Sequence, residues 1–139
     1  MVRTRRFSAE STVTLLSTEL NLSPACMHVK GHGGLKQCVA DAQLKLKDYL
    51  FVCKTDVFHY YETIDQQLLI EKIHQQIDNK TLRRYLYQVV HRTVEYGGDY
   101  HDINHGISRG CPINPILGAL YLKAPDDVFS NQSIPIKLL

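Results

Sequence analysis

Near the middle of this chain a run of apolar residues ends in a carboxylate: Tyr49-Leu50-Phe51-Val52-Cys53, then Lys54-Thr55-Asp56. Burying a carboxylate unpaired costs on the order of several kcal/mol, so such a group needs a counter-charge, a metal or an open cleft. Tyr60 and Tyr61 follow closely, and Thr63-Ile64-Asp65 opens a helix. Further on, Arg109-Gly110 leads into another helix through Cys111-Pro112-Ile113-Asn114-Pro115. A carboxylate at a strand end, an aromatic floor and a cation beside a helix N-terminus suit a magnesium-bound polyphosphate. Phosphoryl transfer needs metal ions, positioning and cationic clamps rather than a strong protein nucleophile. Two metals ~4 Å apart would serve the attacking and leaving oxygens, which takes at least two converging carboxylates. Taken alone, Asp56 also fits a turn or helix-start aspartate, and Tyr60 fits a core aromatic.

The elements that must position these residues follow from periodicity. Residues 8–22 read as a helix, with Val13, Leu16 and Leu20 on one stripe and Ser8 or Ser11 as cap. Lys30-Gly31-His32-Gly33-Gly34 is a permissive loop, without the Gly-Lys-Ser/Thr ending of a P-loop; it is a plain turn or a phosphate contact. A helix over 35–47 places Leu35, Cys38, Val39, Ala42 and Leu46 on one face. Residues 49–53 read as a short strand buried on both faces. Thr63 or Asp65 caps a helix carrying Ile64, Leu68, Leu69, Ile73 and Ile77, and Thr63 with Gln66 fits a capping box. After the turn Asp78-Asn79-Lys80, a helix with Leu82, Tyr85, Leu86, Val89, Val90 and Val94 is expected to stop at Gly97-Gly98. Residues 100–107 suggest a strand or hairpin. A final helix from Pro115 packs Ile116, Leu117, Leu120 and Tyr121, and Ala124-Pro125 breaks or ends it. The order predicts an α+β fold, mostly helical, with one central strand and few partners for it.

Composition narrows the function classes. The 139 residues carry 44% apolar and 22% charged side chains with a net charge of +2, which gives no strong overall pull toward nucleic acid or membrane. No stretch approaches the ~20 apolar residues of a membrane span, and the first residues lack the apolar centre of a signal peptide, so a cytoplasmic location is expected. Cys26, Cys38, Cys53 and Cys111 form no Cys-x-x-Cys pair and are expected to be free thiols. His101, His105 and Cys111 match no standard zinc spacing. Arg83, Arg84 and Arg92 fall on or near the polar face of their helix, as a solvated face or, with Lys36, a nucleic-acid track.

Residues 54–65, Lys-Thr-Asp-Val-Phe-His-Tyr-Tyr-Glu-Thr-Ile-Asp, resemble the first palm motif of reverse transcriptases of the group II intron and retron type. Residues 106–117, Gly-Ile-Ser-Arg-Gly-Cys-Pro-Ile-Asn-Pro-Ile-Leu, are similar to the next motif of that family, and residues 30–34 resemble a segment upstream of the palm aspartate in some bacterial members. The likeness covers about residues 26–123. It implies an RNA-directed DNA polymerase that joins dNTPs to a DNA primer on an RNA template, with Mg2+ as cofactor. On that resemblance Asp56 would be the first metal-binding catalytic aspartate, and Val57 would meet metal through its carbonyl. The backbone from Phe58 to Tyr61 would seat the triphosphate, with Tyr61 as the gate against a ribose 2′-hydroxyl. Arg109-Gly110 and Asn114-Pro115 would pack on the nascent base pair.

Departures from the family pattern temper the implied activity. Arg109 replaces a usual Gln and Asn114 a usual Ser. The Tyr-x-Asp-Asp hairpin that supplies the remaining metal ligands is absent from these residues, and Asp126-Asp127 reads as a solvated helix-end pair. The expected organisation is a helical segment over 1–25, late fingers and the first half of a palm over 26–124, and an irregular tail over 125–139, as a frameshift or premature stop would leave. The expected function is a polymerase fragment that is inactive alone; the alternative is a non-catalytic RNA- or DNA-binding remnant of a mobile element.

Overall fold

The computed structural model describes residues 9–130. The described residues form six helices, all but the second contributing to one apolar core: α1 (Ala9–Glu19), α2 (Gly34–Lys45), α3 (Tyr60–Thr63), α4 (Gln66–Gln76), α5 (Lys80–Val90) and α6 (Asn114–Ser130). A 3-10 turn, Leu46–Asp48, follows α2. The sheet among the described residues is a two-stranded antiparallel ribbon, β1 (Thr93–Tyr96) with β2 (Asp99–Asp102), in the register Thr93 opposite Asp102 and Tyr96 opposite Asp99.

The core forms where α4 packs against α5 and α6, and α1 packs on α6. Leu16, Leu69, Ile73, Leu86, Leu117 and Leu120 are among its fully buried members. Their spacing is that of helix stripes, each burying one face and leaving the other wet. The helix ends are well terminated. Asp65 Oδ1 accepts from the Leu68 N–H at 2.9 Å, and Asn79 Oδ1 accepts from Thr81 and Leu82 at 3.0 and 3.1 Å. Each cap satisfies amides that a helix start leaves without partners. The Thr63–Gln66 capping box does not form, because Gln66 turns inward instead. Leu68, predicted to face the core, is exposed and Ile70 takes that role.

Several other expectations are corrected. Residues 51–57 form no strand, and Leu50, Phe51 and Val52 are 94%, 88% and 65% exposed. A strand buried on both faces needs neighbours on both edges, and among the described residues none reaches this segment. The stripe on α2 is likewise uncovered: Leu35 and Val39 are exposed and no residue of α2 is buried. Helix α5 ends at Val90 rather than at the glycines, and Val94 lies in β1. Gly97 and Gly98, at φ 66° and 93°, instead make the two-residue hairpin turn, a conformation that non-glycine residues rarely adopt. The hairpin therefore sits earlier than residues 100–107.

Pro125, expected to break or end the final helix, lies inside α6. It cannot donate to the carbonyl four residues back, yet the helix continues to Ser130. Lys123 Nζ reaches both carboxylate oxygens of Asp127 at 2.8 Å across the proline, and Asp126 Oδ2 accepts from the Cys26 thiol at 3.6 Å. Asp126 and Asp127 are thus partnered, half-buried mid-helix residues, and helix replaces the expected irregular tail over 125–130. The Ser8 cap and the remainder of that tail lie outside the described residues. The N-terminal helix does not stand apart: Leu16 and Leu20 join the common core, and the Asn21 N–H donates to Gln76 Oε1 at 2.7 Å. No helix among the described residues is long and apolar enough to cross a membrane.

Candidate functional site

Two sequence segments some forty residues apart meet face to face. The Gly106 N–H donates to the Ile64 carbonyl at 2.8 Å, and the Ile107 N–H donates to the Tyr61 carbonyl at 2.7 Å. Gln66, buried between them, donates from Nε2 to the carbonyls of Gly106 and Ile103 at 2.8 and 3.1 Å. Gly106 has φ +70°, and a Cβ placed on it would lie 2.6 Å from the Tyr61 carbonyl oxygen and 2.7 Å from that of Glu62. Only glycine permits this approach, because both the dihedral and the space exclude a side chain.

The polar groups of the two segments continue the join. Arg109 forms an ion pair with Glu62, which also hydrogen-bonds His59 Nδ1. The hydrogen bond from His59, aided by the charge of Arg109, holds the Glu62 carboxyl below its ordinary range. His59 itself takes a left-handed backbone, φ 48°, at the turn before α3. Asn114, buried at the start of α6, donates from Nδ2 to the Ser108 carbonyl. That bond fixes the loop carrying Arg109 and Gly110 against the helix that follows.

A cavity of about 460 Å3 opens beside this join. Tyr60, Tyr61, Pro115 and Gly118 line it, with Cys26, His28, Ala119 and Leu122. Its volume falls within the several-hundred-Å3 range of small-molecule sites. Tyr60 donates its hydroxyl to the Gly118 carbonyl at 2.6 Å, and its ring lies 5.5 Å from that of Tyr61. Burial pushes the Tyr60 hydroxyl well above the ordinary phenol range, and burial also raises Tyr61. Tyr60 stays a neutral donor. Burial, with the Asp126 carboxylate beside it, raises the Cys26 thiol to about 11, so Cys26 is protonated and unreactive here. His28 Nε2 lies 3.2 Å from the Pro115 carbonyl and closes the rim.

The residues expected to form one site divide into two groups. Tyr61, Arg109, Gly110, Asn114 and Pro115 lie on or beside the join. Asp56, Val57 and Phe58 lie on the exposed segment that leads into it, Val57 and Phe58 at 49% and 82% exposure. Among the described residues no three His, Cys, Asp or Glu side chains are grouped to hold a metal ion. This donor set does not fit a two-metal centre around Asp56, nor a zinc site at His101, His105 and Cys111. Two residues of the expected basic track are engaged with the chain itself. Arg83 Nε and Nη2 donate to the carbonyls of Ile77 and His74, closing the end of α4, and Nη2 also pairs with Asp78. Arg92 buries its Nη1, whereas Arg84 and Lys36 are exposed. In the glycine loop the amides of His32 and Gly34 donate within the loop, to Val29 and Met27. That removes two of the donors a phosphate would use.

Gln66, Glu62 and His59 organise this region in roles that the motif spacing does not assign them. The signal for Gln66 was its place in the capping-box spacing, which it satisfies in type but not in role. Gly106 opened the second motif, but only the contact with Tyr61 and Glu62 explains the glycine.

In comparisons with known proteins, the chain is similar to the COX1/OXI3 intron 2 protein of Saccharomyces cerevisiae (strain ATCC 204508 / S288c). The two are 27% identical over 96 residues, which cover 66% of this chain and 11% of that protein. The chain thus spans about a tenth of that relative's length. The similarity supports an intron-related origin. No family model matches the chain, and no solved structure matches it.

Proposed function

We propose that this chain is a nucleotide-seat portion of an intron-type reverse transcriptase, catalytically incomplete alone. The observation that carries the reading is the docking of residues 60–65 on residues 106–117. These are the two stretches whose sequences resemble consecutive palm motifs. Tyr61 and Pro115 line one cavity of nucleoside size, and Arg109 pairs with Glu62 on the same join. The similarity to an intron protein supports the same descent. Asp56 then marks the metal position of the ancestral enzyme, and nucleotidyl transfer would need carboxylates from another polypeptide segment. A dNTP would place its base against Tyr61 and Pro115, and its phosphates toward Arg109.

Two measurements on one preparation test this. Photo-crosslinking of an azido-dATP with Mg2+, mapped by mass spectrometry, should label residues 57–61 or 109–115. Primer extension on an RNA template should give no incorporation. Labelling confined to other surfaces would remove the nucleotide seat. Magnesium-dependent incorporation lost in Asp56→Ala would show a complete enzyme instead. RNA binding that weakens steeply with salt, with no nucleotide labelling, would favour the non-catalytic binding remnant.

A further inference from the structure

We propose that the exposed segment Val52-Cys53-Lys54-Thr55-Asp56-Val57-Phe58 pairs antiparallel with the same segment of a second copy of this chain, on a two-fold axis through Thr55. Four observations carry it. Residues 51–57 lie in no helix, strand or turn, and Leu50 to Phe58 make no backbone hydrogen bond among the described residues. Their amides and carbonyls are available as an open strand edge, which is a template for another chain. The segment is rich in β-forming residues and exposes Val52 and Phe58 at 65% and 82%. Lys54 and Asp56 are both exposed and two residues apart, so in a strand they share one face.

Self-complementarity selects the partner. With Thr55 opposite Thr55, an antiparallel register sets Lys54 of one copy against Asp56 of the other, twice by symmetry. On the same face Val52 then meets Phe58, and on the opposite face Cys53 meets Val57. Opposite charges and apolar pairs directly across a ladder are favourable, and like charges are not. A shift of the axis by one residue, to Lys54 or to Asp56, places like charges on the axis itself. The two-fold contact is isologous, with each patch facing its own copy. The left-handed turn at His59 ends the pairing on that side. This inference does not depend on the polymerase reading.

The test uses the whole chain. Sedimentation equilibrium should give twice the 15.9 kDa chain mass at high concentration. Lys54→Glu and Asp56→Lys should each weaken association by roughly tenfold, because each turns two attractive cross-strand pairs repulsive. The double variant restores the pairs in reverse and should return the affinity to within roughly threefold of the original. These side chains are exposed, so each variant keeps its far-UV circular dichroism. In a Cys53→Ser background, Thr55→Cys should form a disulfide between copies under mild oxidation, and Leu50→Cys should not. A monomer at every concentration up to roughly millimolar, the weak end of specific association, overturns the proposal. So does a double variant no better than either single one, or assembly beyond the dimer.

Discussion

Replacing Gly106 by alanine tests the join between the two motif segments most directly. The new Cβ would stand 2.6–2.8 Å from the Tyr61 and Glu62 carbonyl oxygens and the Glu62 Cα, which are all backbone atoms. None can rotate away, so the segments must separate. Alanine at φ +70° costs roughly 1–2 kcal/mol before any clash. Separation breaks the hydrogen bonds Gly106 to Ile64, Ile107 to Tyr61 and Gln66 to Gly106, each worth about 1 kcal/mol net. The expected loss is about 4 kcal/mol, a large part of the roughly 5–15 kcal/mol of a typical domain. Gly31→Ala is the control. Gly31 also has positive φ, +96°, but nothing lies within 4 Å of its added Cβ. It should cost only about 1–2 kcal/mol, the dihedral penalty alone. Urea unfolding followed by circular dichroism at 222 nm (the helix band) measures both. Melting temperatures should separate by about 10 °C, taking roughly 2–4 °C per kcal/mol for a chain of this size. Equal costs for the two variants would refute the tight approach and the docking argument built on it.

The remaining expectations concern the same region. Gln66→Leu leaves the Gly106 and Ile103 carbonyls without their side-chain donor and should lower the urea stability by about 2–3 kcal/mol, with Gln66→Glu no better. Glu62 has a lowered folded pKa. Its contribution is therefore present above the ordinary value of 4.5 and is lost as pH falls through the lowered one. Carboxyl NMR titration should show the midpoint rising further in His59→Ala than in Arg109→Ala, and the reverse order would contradict the assignment. Cys26, raised from 9.0 to about 11, favours the folded state fully below pH 9.0 and loses that contribution as pH rises toward about 11. At pH 8, iodoacetamide should modify exposed Cys53 well before buried Cys26.

The helices were legible wherever an apolar stripe had something to cover. Ile64, Leu69, Ile73 and Ile77 follow the predicted stripe and are buried, and of the two predicted caps, Thr63 and Asp65, it is Asp65 that caps. The same logic failed where no described residue covers the stripe. Residues 49–53 and the face of α2 have the pattern of buried elements, but pattern records only what a segment can bury. Pro125 misled because local propensity was outweighed by tertiary and i,i+4 contacts around Lys123, Asp126 and Asp127. Val94 fitted a helix stripe, and the glycine pair that seemed to end the helix instead folded the chain back on itself. The motifs mark the two stretches that dock, residues 60–65 and 106–117. The links that hold them, Gln66 to Gly106 and Glu62 to Arg109, depend on distances that spacing does not encode.

The Gly106-to-Ile64 hydrogen bond also closes a loop of about forty residues that contains α4, α5 and the ribbon. Closure entropy grows only logarithmically, so each doubling of such a loop costs roughly 0.6 kcal/mol. The tip at Gly97-Gly98 is exposed, and a side chain added at either glycine would meet nothing within 4 Å. Length can therefore be added or removed there at little cost to the join. The chain thus separates a stretch free to vary in size from the contact that fixes its ends.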